Sequence, residues 1–557
     1  MTEIQGLKKK LFGREFYESI GSPKVILAPM VDQSEFAWRM LSRSFFPAES
    51  KTDLLAYTPM FHSRLFGQTP AFREKFFQPI REQLATPEDN SYADQHLTAQ
   101  KFLDGNPECD RPLFVQFCAN QPDEFLRAAR FVQPYCDAVD LNLGCPQGIA
   151  RKGYYGSFLQ ENWDLIYKLI QKLHTELDIP ITVKFRIQET KEKTLEYAKM
   201  IISAGASIIT VHGRQREQKG HNTGLADWTV LRYVRDNIPP EVVMFANGNI
   251  LQHEDIEKCL QETGVDGVMS AEGNLCDPSI FAPPPPIGQE GREYWRGKDG
   301  KGGYRMDAVF RRYLDIIHKY VLEQPVPERV PLFARSEDSR PAATILEEMK
   351  AEAAAEAAKD DDSEPPNKRQ KREKQAKATS PNLVAMQAHL FHLLRPLVSK
   401  HTDIRDALAR SRPGDMASYE KVLSMVQKAV KQGLLEYELD PSAFHIDEKT
   451  MEELEKENPG VDVSSALTIA RVKRPWFICQ PYVRPLPKEA IEKGAMSLSK
   501  KDKAKLEKDE NLSKQVGVEP EGKVEKVYPN GEKAANGEKK DGENEPVEIP
   551  KEGVVCG

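Results

Sequence analysis

The sequence predicts an α/β fold, a (β/α)8 TIM barrel followed by an α-helical bundle, and three observations carry the prediction. Short apolar runs alternate with amphipathic stretches about eight times over roughly 250 residues, the rhythm of a parallel barrel. Polar residues able to do chemistry fall at the carboxyl ends of those runs, where barrels build their sites. Beyond the tetraproline Pro283 to Pro286 the period becomes that of helices alone. A doubly wound sheet is the competing α/β answer, but it needs a Gly-rich fingerprint after its first strand, and none is present.

The apolar runs are Val25 to Pro29, Leu54 to Pro59, Leu113 to Phe117, Ala138 to Leu143, Ile181 to Phe185, Ile208 to Val211, Val242 to Ala246 and Gly267 to Ser270. Helical patterns at Asp123 to Val132, Trp163 to Leu177, Thr194 to Ala204 and His253 to Gln261 separate them. Tyr304 to Leu322, with Arg305, Arg311, Arg312 and Lys319, reads as a basic amphipathic helix. Asn382 to His401 and Tyr419 to Leu435 read as two more, and a bundle is their natural assembly. The expected organisation is an N-terminal extension at 1–20, the barrel at 21–285 and a helical domain at 300–440. A C-terminal extension at 441–486 and a disordered tail at 487–557 follow. A disordered charged insertion is expected at about 325–380. It holds an Ala/Glu-rich run, the acidic Asp360, Asp361, Asp362 and Glu364, and then Asn367-Lys368-Arg369-Gln370-Lys371-Arg372. Its basic half could serve nuclear import or RNA contact, or simply be a solvated charge run.

At 557 residues the chain exceeds one core. A hydrophobic fraction of 39% and a mean hydropathy of -0.57 fit segments that never bury one. No apolar run approaches the roughly 18 residues of a membrane span, and Lys8-Lys9-Lys10 precedes no apolar core of a signal peptide. The eight cysteines show no Cys-x-x-Cys and no zinc spacing, so neither a disulfide framework nor a metal is expected. A reducing cytoplasmic or nuclear setting fits, and a monomer is expected. The net charge of -7 does not exclude a nucleic-acid partner, because such a footprint is local.

The stretch the chain is organised around is Val139-Asp140-Leu141-Asn142-Leu143-Gly144-Cys145-Pro146, continuing through Gly153 to Gly156-Ser157. Its first half alternates as a half-buried strand does, and Gly-Cys-Pro stops the strand with one thiol at its carboxyl end. A free cysteine is usually a small buried hydrophobe, but this frame is far more restrictive than a lone Cys. The stretch resembles the signature of the tRNA-dihydrouridine synthases, which reduce uracil in transfer RNA with a flavin. The resemblance covers roughly residues 15 to 435. It also rests on Ala28-Pro29-Met30-Val31-Asp32, Tyr57-Thr58-Pro59-Met60, Val115-Gln116-Phe117, Val183-Lys184-Phe185-Arg186, His212-Gly213-Arg214 with Gln218, and Asn247-Gly248-Asn249. The Val-Asp-Gln-Ser continuation at Val31 to Ser34 resembles the eukaryotic branch acting at positions 16 and 17 of the D loop.

The resemblance implies reduction of FMN by NADPH, hydride delivery to uracil C6 and protonation of C5 by Cys145. An ordinary thiol, with a pKa of roughly 8.5, is mostly protonated at neutral pH and can act as such an acid. Lys184 would face the negative edge of the reduced flavin, and Gln116 offers a donor and an acceptor to its pyrimidine edge. His212 could bind flavin oxygens or phosphate. Pro29, Met30 and Val31 belong to the same cofactor set. Asn247-Gly248-Asn249 and Ala271-Glu272-Gly273 follow the last two strands, where barrels bind phosphate through backbone N–H groups. An arginine often stands in the family where this chain has Glu272. A carboxylate repels phosphate, so its side chain is expected to point away. Asn142 could bind the uracil or brace the cysteine loop.

The target uridine must leave its stack, so affinity for tRNA has to come from phosphate contacts elsewhere. Arg151 and Lys152 in the catalytic loop, Arg186, Arg214, Arg216, Lys219, Arg305, Arg311 and Arg312 are the candidates. Two rivals remain open at this point. An FMN barrel acting on a free pyrimidine, as dihydroorotate dehydrogenases do, predicts turnover without RNA. A non-catalytic RNA-binding protein predicts RNA affinity without flavin.

Overall fold

Eight parallel strands close into a ring in the computed structural model of this chain, which describes residues 10–81, 83–84, 99–298, 300–361, 380–446, 448–457, 464–487 and 489. Around the ring run β1 (Val25–Leu27), β2 (Leu54–Tyr57), β4 (Leu113–Cys118), β5 (Ala138–Leu143), β6 (Ile181–Arg186), β7 (Ile208–His212), β8 (Val243–Asn247) and β9 (Gly267–Ser270). Pairing of β2 with β4 closes it, and a two-residue strand, β3 (Phe61–His62), adds to the carboxyl end of β4. Every residue of the eight strands is buried, because helices cover the outside and side chains fill the inside. The predicted runs coincide with these strands to within two residues at either end.

The helix Gly13–Ser19 lies inside the expected N-terminal extension, yet it belongs to the barrel. Phe16 stacks on Phe114 and Tyr17 meets Phe245, while the Tyr17 hydroxyl donates to the carbonyls of Pro23 and Asp266 just ahead of β1 and β9. It therefore plugs the amino-terminal end and leaves the carboxyl end open for chemistry.

Beyond the barrel the structure corrects two expectations and keeps a third. A hairpin, β10 (Tyr294–Arg296) with β11 (Gly302–Tyr304), precedes the helices, and its two strands are too short to leave a periodic signal. The expected amphipathic helix is present as Met306–Ile316, continued as a π turn through Val321, and its apolar face lies in the core. Val309, Phe310, Tyr313, Leu314 and Ile317 are buried. Finally, the described part of the insertion expected to be disordered at about 325–380 is folded. Arg329 binds Asp315 and Glu420, and Ala342–Asp361 forms a helix whose Ala342, Ile345 and Leu346 pack on Leu435. Apolar residues at helical spacing are hard to see within an Ala/Glu-rich run. The remaining charged stretch, including Asn367 to Arg372, and nearly all of the 487–557 tail lie outside the described residues.

The barrel and helical region belong to one compact unit that runs to Leu486. Their junction is specific. Trp38, on the helix Phe36–Arg43 after β1, stacks on His389 at 3.9 Å between ring centroids and meets Tyr313 edge-on. Its indole N–H donates to Asn274 at 2.8 Å, and Glu35 and Asn382 complete the seam by binding His389 and the Ala37 N–H. Among the described residues no helix is long and apolar enough to cross a membrane.

Candidate active site

Strand register sets the polar residues of the barrel interior side by side. Gln116 pairs with Asp140 and Asp140 with Thr182. One layer nearer the mouth, Asn142 pairs with Lys184 and Lys184 with Thr210. In the next layer Arg186 pairs with His212 and His212 with Asn247. Because side chains alternate with a period of two, these residues share the inward face.

A hydrogen-bonded chain crosses the first two layers. Thr182 Oγ1 donates to Asp140 at 2.6 Å, Gln116 Nε2 donates to the other Asp140 oxygen at 2.8 Å, and Asn142 Nδ2 donates to Gln116 Oε1 at 2.8 Å. Asn142 Oδ1 then accepts from the N–H groups of Gly144 (3.1 Å) and Cys145 (2.8 Å). Of the two roles open to Asn142, this geometry favours the brace.

Cys145 is held from the other side as well. Its carbonyl accepts from the Ser157 N–H and hydroxyl, and Arg186 Nε donates at 2.7 Å to the carbonyl of Gly144. Gly156 stands at φ +64°, and a Cβ there would lie 2.8 Å from the Cys145 carbonyl oxygen. The Gly-Ser pair is thus the clasp that closes the cysteine loop. The thiol packs with Cys118, Ala150 and Tyr155, flanked by Met60 and Phe158.

Positive charge gathers beyond the thiol. Lys184 and Arg186 are buried, and Arg214 reaches His212 Nε2 (3.2 Å), Asn249 Oδ1 (3.0 Å) and the Gly224 carbonyl. Burial, with Arg186 next, lowers the Arg214 pKa to about 10, so it stays cationic at neutral pH. Burial first, then Arg186, Lys184 and Arg214, pushes His212 far below its usual value and keeps the ring neutral. Several atoms at the carboxyl end of the barrel are buried without a partner: His212 Nδ1, Asn247 Oδ1, and both amide atoms of Gln33 in the loop after β1. Buried polar atoms are rarely left so, and those of His212 and Asn247, beside Arg186 and Arg214, fit an anionic ligand rich in polar edges.

The other expected site residues divide by environment. Pro29 and Met30 are buried at the end of β1 and Val31 is half-buried; Gly248, Ala271 and Gly273 follow β8 and β9. Glu272 does have another partner, as its carboxylate takes a bidentate pair from Arg484. Arg151 and Lys152 are exposed on the short helix Gly148–Gly153 directly after Cys145. Arg216 and Lys219 instead tie the loop after β7 to the cysteine loop, donating to the carbonyls of Ser157 and Pro146. The arginines of the next domain do not form an exposed basic face. Arg305 is 4% exposed and ion-paired with Asp307, Arg312 pairs with Glu293 and caps Ser44, and Arg311 holds the Val330 carbonyl. Thr182 and Arg484 are absent from the sequence reading, and Asp140, Ser157 and Gln33 enter it only as parts of motifs, without a role. For Asp140 a signal existed, two positions before Asn142 on the same face.

Asp140 supplies a pH prediction. Burial raises its pKa to about 6 from 3.8. The contribution favouring the fold is therefore full below pH 3.8 and is lost as pH rises through about 6, roughly 3 kcal/mol in all. Asp140→Asn should gain about that much stability relative to wild type between pH 4 and pH 7 in urea denaturation. An unchanged difference would contradict the burial argument.

The open end of this closed parallel barrel gathers a braced thiol, buried cations and unpartnered polar atoms, as the mouth of a barrel enzyme does. The family model for dihydrouridine synthase (Dus) matches residues 26–290, all of the ring of strands but its first residue. A tRNA-dihydrouridine(16/17) synthase of Schizosaccharomyces pombe is 41% identical over 487 residues, 87% of this chain and 94% of that one. The Saccharomyces cerevisiae protein of the same name is 40% identical over 504 residues, 89% and 94% of the two chains. A tRNA-dihydrouridine(20a/20b) synthase-like protein of Mus musculus is 29% identical over 260 residues, 46% of this chain and 68% of its own. This chain belongs to the dihydrouridine synthase family.

Proposed function

We propose that this chain is a tRNA-dihydrouridine synthase that uses FMN and NADPH and acts on uridines 16 and 17 of the D loop. The observation that carries the reading is Cys145, fixed at a barrel mouth by Asn142, Ser157 and Arg186 beside buried cations. The choice of positions is supported by end-to-end similarity to the 16/17 enzymes, against similarity to the 20a/20b protein over less than half of this chain.

FMN, when bound, would supply to uracil C6 a hydride that NADPH provides. The protein's own part begins with a uridine turned out of its stack, since C5 and C6 are unreachable within folded RNA. Arg151 and Lys152, exposed beside the thiol, engage phosphates near that uridine. Cys145 Sγ–H gives its proton to C5. Asn142 and Ser157 keep the thiol's position within the few tenths of an ångström such a transfer demands. Lys184, with Arg186 and Arg214 beyond it, makes the interior favour negative charge on the cofactor. Neutral His212 presents Nδ1, and Gln33 and Asn247 present their unpartnered amide atoms.

Asn142→Ala should slow dihydrouridine formation about 10²-fold in single turnover, because two buried N–H groups lose their acceptor and the cysteine loop loosens. A rate equal to wild type would show that Asn142 does not position the thiol.

Heat release and mass analysis of flavin from the purified protein, with NADPH and NADH oxidation assays, test the cofactor assignment. FMN and a preference for NADPH are expected. A colourless protein that binds tRNA would overturn the proposal, as would a yellow one that turns over a free pyrimidine and ignores tRNA.

A further inference from the structure

Glu272 is out of place. It follows β9, beside the loop after β8 that holds Asn249 against Arg214, where the family reading seats a phosphate. Ser270, two residues earlier, donates its hydroxyl to the Ile250 carbonyl, so the ends of β8 and β9 are joined. Left alone, a carboxylate here would offset Arg214 and repel a phosphate.

Its partner comes from 212 residues further along the chain. Arg484 Nη2 donates to one Glu272 oxygen at 2.8 Å and Arg484 Nε to the other at 2.9 Å, a bidentate pair. The segment that delivers Arg484 is firmly seated. Phe477, Ile478 and Cys479 are fully buried, and the backbone is tied to the hairpin and the next helix through Cys479 N–H to Tyr304 and Met306 N–H to Phe477. Tyr482 then stacks under Arg395 at 3.8 Å. The carboxyl-terminal segment therefore crosses from the helical region to the barrel mouth and ends on Glu272. Arg214 links that pair to His212, whose Nε2 lies 3.2 Å from the guanidinium; His212 is 1% exposed and its Nδ1 has no partner.

Resting on the flavin reading above, we infer that Arg484 is a positioning residue for the cofactor phosphate, acting from outside the barrel by neutralising Glu272. With Glu272 so paired, the corner of His212, Arg214 and Asn249 keeps a net positive charge for a dianion. The electrostatics agree, since Glu272 raises and Arg484 lowers the Arg214 pKa, which places all three groups within one another's fields. Flavin retention then depends on a segment that the barrel does not contain.

The test measures dissociation constants of FMN and of riboflavin, which lacks the phosphate, by flavin fluorescence. It uses the full chain stripped of flavin, in wild type, Arg484→Met, Glu272→Gln and the double variant. Arg484→Met should weaken FMN roughly tenfold, about 1.4 kcal/mol, and leave riboflavin within about twofold. In the double variant the carboxylate is gone and FMN affinity should return close to wild type. Equal weakening of FMN and riboflavin, no weakening, or no rescue by Glu272→Gln would each overturn the inference while leaving the flavin reading intact. A wild type that binds neither compound would overturn the flavin reading and the inference with it.

Discussion

Cys145→Ala should lower the rate of dihydrouridine formation by about 10²- to 10⁴-fold, the range expected when a positioned general acid is removed. The substitution deletes one sulfur atom from a loop otherwise fixed through the backbone. The Cys145 N–H and carbonyl, held by Asn142 and Ser157, are untouched. A loss of rate therefore reports the missing proton donor and not a collapsed loop. Single turnover with enzyme in excess over unmodified tRNA isolates the step in which C5 is protonated. Cys145→Ser should also be impaired, because an alcohol is a far weaker acid than a thiol. A Cys145→Ala enzyme as fast as wild type would remove Cys145 from the mechanism.

Trp38→Ala should cost about 3–5 kcal/mol of stability, the usual price of truncating a large buried aromatic. Trp38 is fully buried, and its loss leaves a void under the His389 ring and an Asn274 oxygen without a donor. Since His389 and Tyr313 lie on helices beyond the barrel while Trp38 and Asn274 lie within it, the damage should fall on both regions together. Urea denaturation should show one cooperative transition moved to lower concentration, with probes in the barrel and in the helical region coincident. Trp38→Phe keeps a stacking ring and should lose only about 1–2 kcal/mol with the indole hydrogen bond. Two separated transitions in Trp38→Ala, with the barrel unaffected, would contradict the shared core.

The barrel was legible because parallel strands buried on both faces write themselves as continuous apolar runs, and Ala138–Leu143 and Gly267–Ser270 agree with their strands end to end. The thiol was legible because Gly-Cys-Pro can only end a strand. Partnership was less visible. Arg305 reads as one more cation on a basic helix, and nothing in the local pattern says that Asp307 will bury with it. Helical periodicity locates a face but not its solvent, so a core helix flanked by arginines resembles a surface one. Arg484 lies 212 residues from Glu272, far beyond any spacing argument. The helix Ala342–Asp361 was hidden by its composition, since alanine and glutamate suit a solvated segment as well as a helix docked through Ile345 and Leu346.

This barrel is proposed to reduce tRNA uridines at the D loop. Site-by-site quantification of dihydrouridine in unmodified tRNA, incubated with the purified chain, FMN and NADPH, tests it most directly. New dihydrouridine at positions 16 and 17, absent when NADPH is omitted, is the predicted result. Dihydrouridine confined to positions 20a and 20b would contradict the assignment of position, and none at any position would contradict the claim itself.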